Sequence, residues 1–195
     1  MTPKRKVVGR RRATSRFFVR ECRLGGTNSD VLPKEEVCDR LPLEQLMKIS
    51  APNLTKQAPR SPRVRLGGYV TLPRILDKGR ATLVSMNGEY NFDCPLDRRF
   101  FEFVGIPAAA LKKQLAAGKG DGEILEWIHA NAKFKRTEPE IAAWSAQAEQ
   151  RVPTNPESRE YFNTNHKKYG PKREDIATFF DLLDLDDYVS FGGKA

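Results

Sequence analysis

The sequence predicts a mainly α-helical fold over residues 62–195: a single compact domain of six to seven short helices with at most a small hairpin. Three observations point to it. Apolar residues recur at i, i+3 and i+4 in several separate windows, the spacing of one helical face. Prolines that suit first helical positions, and a glycine that stops a helix, divide those windows into short elements. The buried Val and Ile runs that a parallel α/β sheet needs are missing from the sequence. The predicted domain has the usual size for one hydrophobic core. Residues 1–61 stand apart from it, as a disordered basic extension that runs into a proline-rich linker.

In chain order, residues 1–20 hold eight Lys/Arg and no acid. Such a segment suits a disordered arm that neutralises phosphates and releases counterions. It equally suits an Arg-rich, acid-poor targeting sequence, or residues 1–46 lying upstream of a start at Met47 instead of Met1. Between Ala51 and Pro62, three prolines and few side chains to bury predict an extended linker. Gly67-Gly68 predicts a tight turn, and a diglycine taken alone is only a weak sign of a phosphate cradle. Pro73 suits the first turn of a helix at 71–84, with Leu72, Ile75 and Leu76 on one face. Asn87-Gly88 marks a turn, and Glu89 to Phe92 forms a short extended piece with Tyr90 and Phe92 on one side.

Pro95 opens a helix at 95–104 that gathers Leu96, Phe100, Phe103 and Val104, with Phe101 at the edge, and Gly105 stops it. Pro107 opens the next, at 107–117, with Leu111 and Leu115 inward. Gly118 to Gly122 lacks the order of a phosphate loop and reads as a connector whose Asp121 caps a helix at 122–132. That helix buries Ile124, Leu125 and Ile128 with Trp127, and His129 beside them is a surface or boundary residue. Thr137-Glu138-Pro139-Glu140 is a capping box for a helix to about Arg151 that buries Ile141, Trp144 and Ala148. Asn155-Pro156 opens a helix at 156–168 presenting Tyr161 and Phe162, and the last, at 172–185, turns Ile176, Phe179, Phe180 and Leu183 inward.

The net charge of +9 invites a nucleic-acid reading, but its distribution argues otherwise for the domain. Residues 1–46 carry 11 basic and 6 acidic residues, residues 47–66 five basic and none acidic, and residues 67–195 carry 18 basic and 19 acidic. Nucleic acid is therefore a partner only through residues 1–66. No apolar run reaches the roughly 20 residues of a membrane span, and a secretory signal core is missing, so a cytoplasmic protein without a membrane partner is expected. Cys22, Cys38 and Cys94 form neither a disulfide framework nor a zinc spacing, and Asp184, Asp186 and Asp187 lack the order of a calcium loop. No metal or cofactor is called for.

Two blocks concentrate ionisable groups among buriable ones. In the first, Arg74, Asp77, Lys78 and Arg80 share one side of the 71–84 helix, either as a solvated ladder of i,i+3 ion pairs or as a cationic wall steadied by Asp77. In the second, Cys94 precedes the 95–104 helix as a nucleophile or redox candidate, or as a small buried residue. Asp97 is placed to pair with Arg98 or Arg74.

Gly67 to Ala81, Asn87 to Phe100 and Gly120 to Ile128, taken in that order, resemble a bacterial family catalogued as domain of unknown function 5069, over about Pro62 to the C-terminus. The resemblance implies a soluble, mainly helical domain and assigns no activity to any residue. From the residues themselves, the leading expectation is a module binding a small anionic ligand or a protein partner through Arg74, Asp77, Lys78, Arg80, Tyr90, Cys94 and Asp97. An enzyme using Cys94, or Asp97 with Lys78, and a nucleic-acid binder using the basic arm are the alternatives.

Overall fold

Prolines and side-chain caps set most of the helix starts. The computed structural model describes residues 49–195, so the basic arm, Cys22, Cys38 and the alternative start at Met47 lie outside the described residues. Among those residues there are seven α-helices: α1 (Leu72–Leu83), α2 (Pro95–Val104), α3 (Ala108–Ala116), α4 (Asp121–Asn131), α5 (Glu138–Glu149), α6 (Pro156–Tyr169) and α7 (Phe179–Ser190). Proline stands in the first turn of α1, α2, α5 and α6, where its missing N–H is not needed. Thr137, Asn155 and Thr178 accept from the amides of Glu140, Ser158 and Asp181 to cap α5, α6 and α7. Gly105, at φ 72°, ends α2 in the left-handed conformation that glycine adopts freely. The extended piece expected at Glu89 to Phe92 carries no strand, and the isolated bridge among the described residues lies elsewhere, between Leu66 and Tyr69.

Three local expectations are corrected. The last helix begins at Phe179, not at 172, because Asp181 accepts from the amides of Thr178 and Ala177 and fixes the first turn there. Its buried side then carries Phe180, Leu182 and Leu185, while Leu183 is only half-buried. Asp121 does not cap α4: Glu123 accepts from the Gly120 amide instead. Residues 49–62 carry no helix, yet Leu54 is 2% exposed and its amide donates to the Met86 carbonyl, so this stretch is packed, not solvated.

The main core joins α1 to α5 around Leu72, Ile75, Leu76, Phe100, Leu111, Leu115 and Ile128. Helix α3 comes close to α1 because Gly79 has no Cβ: one there would meet Leu115 and Phe92. A smaller core of Phe162, Ile176, Leu182 and Leu185 joins α6 to α7.

Candidate functional site

Every residue of α1 from Leu72 to Ala81 is buried, so its charged side as well as its apolar one lies under other elements. Arg74, Asp77, Lys78 and Arg80 are 3, 8, 3 and 9% exposed, which replaces the solvated ladder. Charges at such depth must be paired, because one left alone costs several kcal/mol, about 3–5 in typical cases. The pairs form with other elements, not along the helix.

Arg74 and Lys78 lie one turn apart. The Lys78 ammonium donates to both oxygens of Asp97, at 2.6 and 2.9 Å, and to the Cys94 Sγ at 3.4 Å. Asp97 also accepts from the Asp93 amide at 3.0 Å. Arg98, one of the partners expected for Asp97, reaches Asp93 at the surface instead. The Arg74 guanidinium grips Asp187 of α7 with two nitrogens, at 2.6 and 3.1 Å, and lies 5.4 Å from the centre of the Tyr90 ring. Tyr90 donates to the same carboxylate at 2.7 Å. Burial alone would pull Arg74 down, but Asp187 outweighs it and holds the guanidinium firmly charged. Burial and the Asp187 bond together push the Tyr90 phenol well up, so it stays a donor.

Asp77 and Arg80 belong to a second network. Asp77 accepts from the amide and side chain of Arg60, and Asp121 bridges Arg60 and Arg80 at 2.6 Å to each. Burial lowers Arg60 and raises Asp121, and in each case the hydrogen-bonded partners reverse the sign. Of the seven residues singled out from sequence, the structure thus joins Arg74 to Tyr90 through Asp187 and, one turn along α1, Lys78 to Cys94 and Asp97, and sends Asp77 and Arg80 elsewhere. Asp187, Arg60 and Asp121 had passed as an acidic end, part of a linker and a cap. Their partners are 113, 17 and 41 residues away, beyond any local spacing rule.

The first network is neutral in sum, with two cations against two carboxylates, and its accessible members are Tyr90 and Cys94. Tyr161 of α6 borders it, its phenol pushed up by burial first and then by Asp186, Tyr169 and Cys94. Chemically, the arrangement holds a guanidinium fork and an ammonium already engaged by carboxylates, with a phenol donor and a thiol half-buried beside them. No cluster of three or more His, Cys, Asp or Glu that could hold a metal ion occurs among the described residues. No helix there is long and apolar enough to cross a membrane. Of the basic residues in 49–66, Arg60, Arg63 and Arg65 are all in ion pairs with the domain.

A comparison with curated proteins gives no match. The family model described as a domain of unknown function (DUF5069) matches residues 56–189, a span that holds both charged networks and all seven helices but the last residue of α7, and the chain belongs to that family.

Proposed function

We propose that the protein is a cytoplasmic small-molecule-binding module whose ligand enters the seam between α1, the start of α2 and α7. The observation that supports this reading is that the ion pairs of Arg74 and Lys78, one turn apart, each carry a half-buried group, Tyr90 and Cys94. The ligand is a small carboxylate or phosphate, the anions that match a guanidinium fork. Its point of entry is Asp187, which stands in the last turn of α7, where the helix dipole disfavours a carboxylate. Arg74 and Tyr90 alone hold it by side-chain hydrogen bonds. An anion that takes over the guanidinium leaves Lys78–Asp97 intact and shields the neighbouring thiol.

The test is a thermal-shift screen of the full chain against phosphorylated and carboxylated metabolites, since a ligand of the folded state raises stability by RT ln(1 + [L]/Kd). A hit should slow iodoacetamide labelling of Cys94, read by peptide mass spectrometry, and should bind more weakly to Tyr90→Phe. Hits that leave Cys94 labelling unchanged place binding elsewhere and end this reading. Labelling of Cys94 faster than that of free cysteine would favour the enzymatic alternative.

A further inference from the structure

We propose a second ligand site, separate from the seam, in the cavity between the Gly67-Gly68 turn, the end of α4 and the start of α5. The site takes a small organic anion, a carboxylate or phosphate monoester carried on a flat apolar body.

The cavity measures about 480 Å³, a volume suited to a small molecule. Tyr69 lines it and is only 2% exposed, its ring set edge-on to Phe100 at 5.5 Å. The Tyr69 hydroxyl bonds to no described residue, yet it is not among the buried atoms left without a partner, so the ring is buried while its polar tip stays accessible. A phenol with an apolar body held in the core and an accessible hydroxyl presents a fixed donor that can exchange water for a ligand. Burial pushes this phenol up while the nearby Arg136 charge pulls it part of the way back, so it remains protonated and ready to donate.

Three cations line the cavity, and one of them, Lys135, has no acidic partner among the described residues. Lys135 donates to the carbonyls of His129 and Ala130 at the end of α4, at 2.6 and 2.8 Å, and Arg136 donates to the Phe103 carbonyl at 3.0 Å. Those acceptors are neutral. Glu140 lies 3.5 Å from Arg136 at an exposed position, where screening leaves such a pair weak. Arg65 is matched by Glu149, and His129 adds a titratable ring 6.3 Å from that of Tyr69. Glu138 is the one acid in the lining.

The opposite wall is apolar, made by Ile141, Ala132 and Phe134. Between the two lies bare backbone. Gly67 and Gly68 have φ of 57° and 82°, and a Cβ would strike Leu125 at the first and press on Ile141 at the second. The turn is closed by hydrogen bonds between Leu66 and Tyr69, which leaves the two glycine amides without acceptors among the described residues. A phenol donor on a fixed ring, bare amides and one cation without an acidic partner beside an apolar wall fit an anion with a flat body better than either part alone.

The full chain is titrated by calorimetry with phenyl phosphate, benzoate, inorganic phosphate and benzyl alcohol. One or both aromatic anions should bind with Kd below about 1 mM, and inorganic phosphate and benzyl alcohol at least about tenfold more weakly. Tyr69→Phe keeps the buried ring and should weaken the aromatic anion at least about fivefold without lowering Tm, while Ala142→Phe, at an exposed lining position, should abolish binding. Saturating phenyl phosphate should leave iodoacetamide labelling of Cys94 unchanged, which separates this site from the seam. Absence of binding by both aromatic anions at about 10 mM, benzyl alcohol binding as tightly as they do, or binding that both variants leave unchanged would overturn the proposal.

Discussion

The two sides of α1 are both buried, but they are held by different forces. Its apolar side enters a core of 14 buried residues shared by five helices, where the attraction is non-directional and depends on area. Its charged side is covered by four separate elements, each supplying one opposite charge to one position. The first arrangement tolerates rearrangement, because neighbouring side chains can shift to fill space. The second is all or none at each position, because a buried charge either has its partner or does not. The α6–α7 hairpin shows why this matters. Its own core has four buried residues, each contributing at most about 3 kcal/mol, while ordering the backbone alone costs about 1–2 kcal/mol per residue. The hairpin therefore depends on its fastenings to the rest, among them Arg74–Asp187 and the reach of Arg63 to Asp181 and Asp184.

The largest effect is expected at the deepest pair, Lys78 and Asp97, whose side chains are 4 and 1% exposed. Asp97→Ala strands the ammonium and should cost about 3–5 kcal/mol in urea unfolding. Leu76→Ala, on the apolar side, should cost a similar amount, about 2–5 kcal/mol. The difference lies in repair. Lys78→Met combined with Asp97→Leu should recover most of the stability, because the loss comes from the unpaired charge, whereas a second truncation beside Leu76 should add to the damage. A double variant as unstable as Asp97→Ala would mean that both sides obey the same rule.

Arg74→Met comes next, with an expected cost of about 2–3 kcal/mol, the range for a lost hydrogen-bonded charge. The loss should be local. Amide hydrogen exchange should speed up across Pro156–Tyr169 and Phe179–Ser190 and stay unchanged in α2 to α4. Uniform loss of protection would show that the hairpin and bundle unfold as one unit and that the Asp187 contact is not a separate fastening.

Acid should produce a smaller change of the same kind. Burial tends to raise Asp181 and Asp121, but the amides of Thr178 and Ala177 with Arg63 lower the first, and Arg60 and Arg80 lower the second, below the ordinary 3.8. A carboxyl depressed on folding contributes in full above its unfolded value, and the contribution is lost as pH falls through the folded value. The urea midpoint should thus be flat from about pH 7 to 5 and fall below about pH 4. Asp175, held at about 2 by its hydrogen bond to Arg173, titrates in the same window at the surface. Asp181→Asn should therefore be compared with Asp175→Asn: only the first should flatten the loss of α7 protection. An equal response from both would remove the distinction between fastening and surface pairs.

Much of the apolar side was legible in the sequence, and the reason is range. The i, i+3, i+4 pattern of Leu72, Ile75 and Leu76, the prolines at helix starts and the Thr137 capping box are local signals, and the matching elements are there. The charged side was legible only by half. Arg74, Asp77, Lys78 and Arg80 stood out as a group, but a helix that is polar on one side looks the same in water as under a second layer. What decides between the two is Asp187, across 113 residues from Arg74, and no periodicity records that pairing. The start of α7 was misplaced for a related reason. Ile176 continues the apolar spacing and is buried, yet the Thr178–Asp181 cap forms after it, so tertiary burial and helix membership part company at one residue.

The smallest predicted effect has the opposite sign. Thr71, immediately before α1, is 2% exposed, holds φ at 64° and leaves its Oγ1 as the one buried side-chain polar atom without a partner among the described residues. Its backbone is engaged: the amide donates to Pro62 and the carbonyl accepts from Ile75. The conformation is therefore imposed by the chain on both sides and does not depend on the hydroxyl. Thr71→Val preserves shape and branching, deletes only the unmet group, and should stabilise by about 1 kcal/mol. Every buried charge on α1 has found a partner, so this hydroxyl is where the balance should tip toward an apolar replacement. If urea unfolding shows a loss instead, the hydroxyl is solvated or bound in solution, and the junction between the two sides of α1 is wetter than its burial implies.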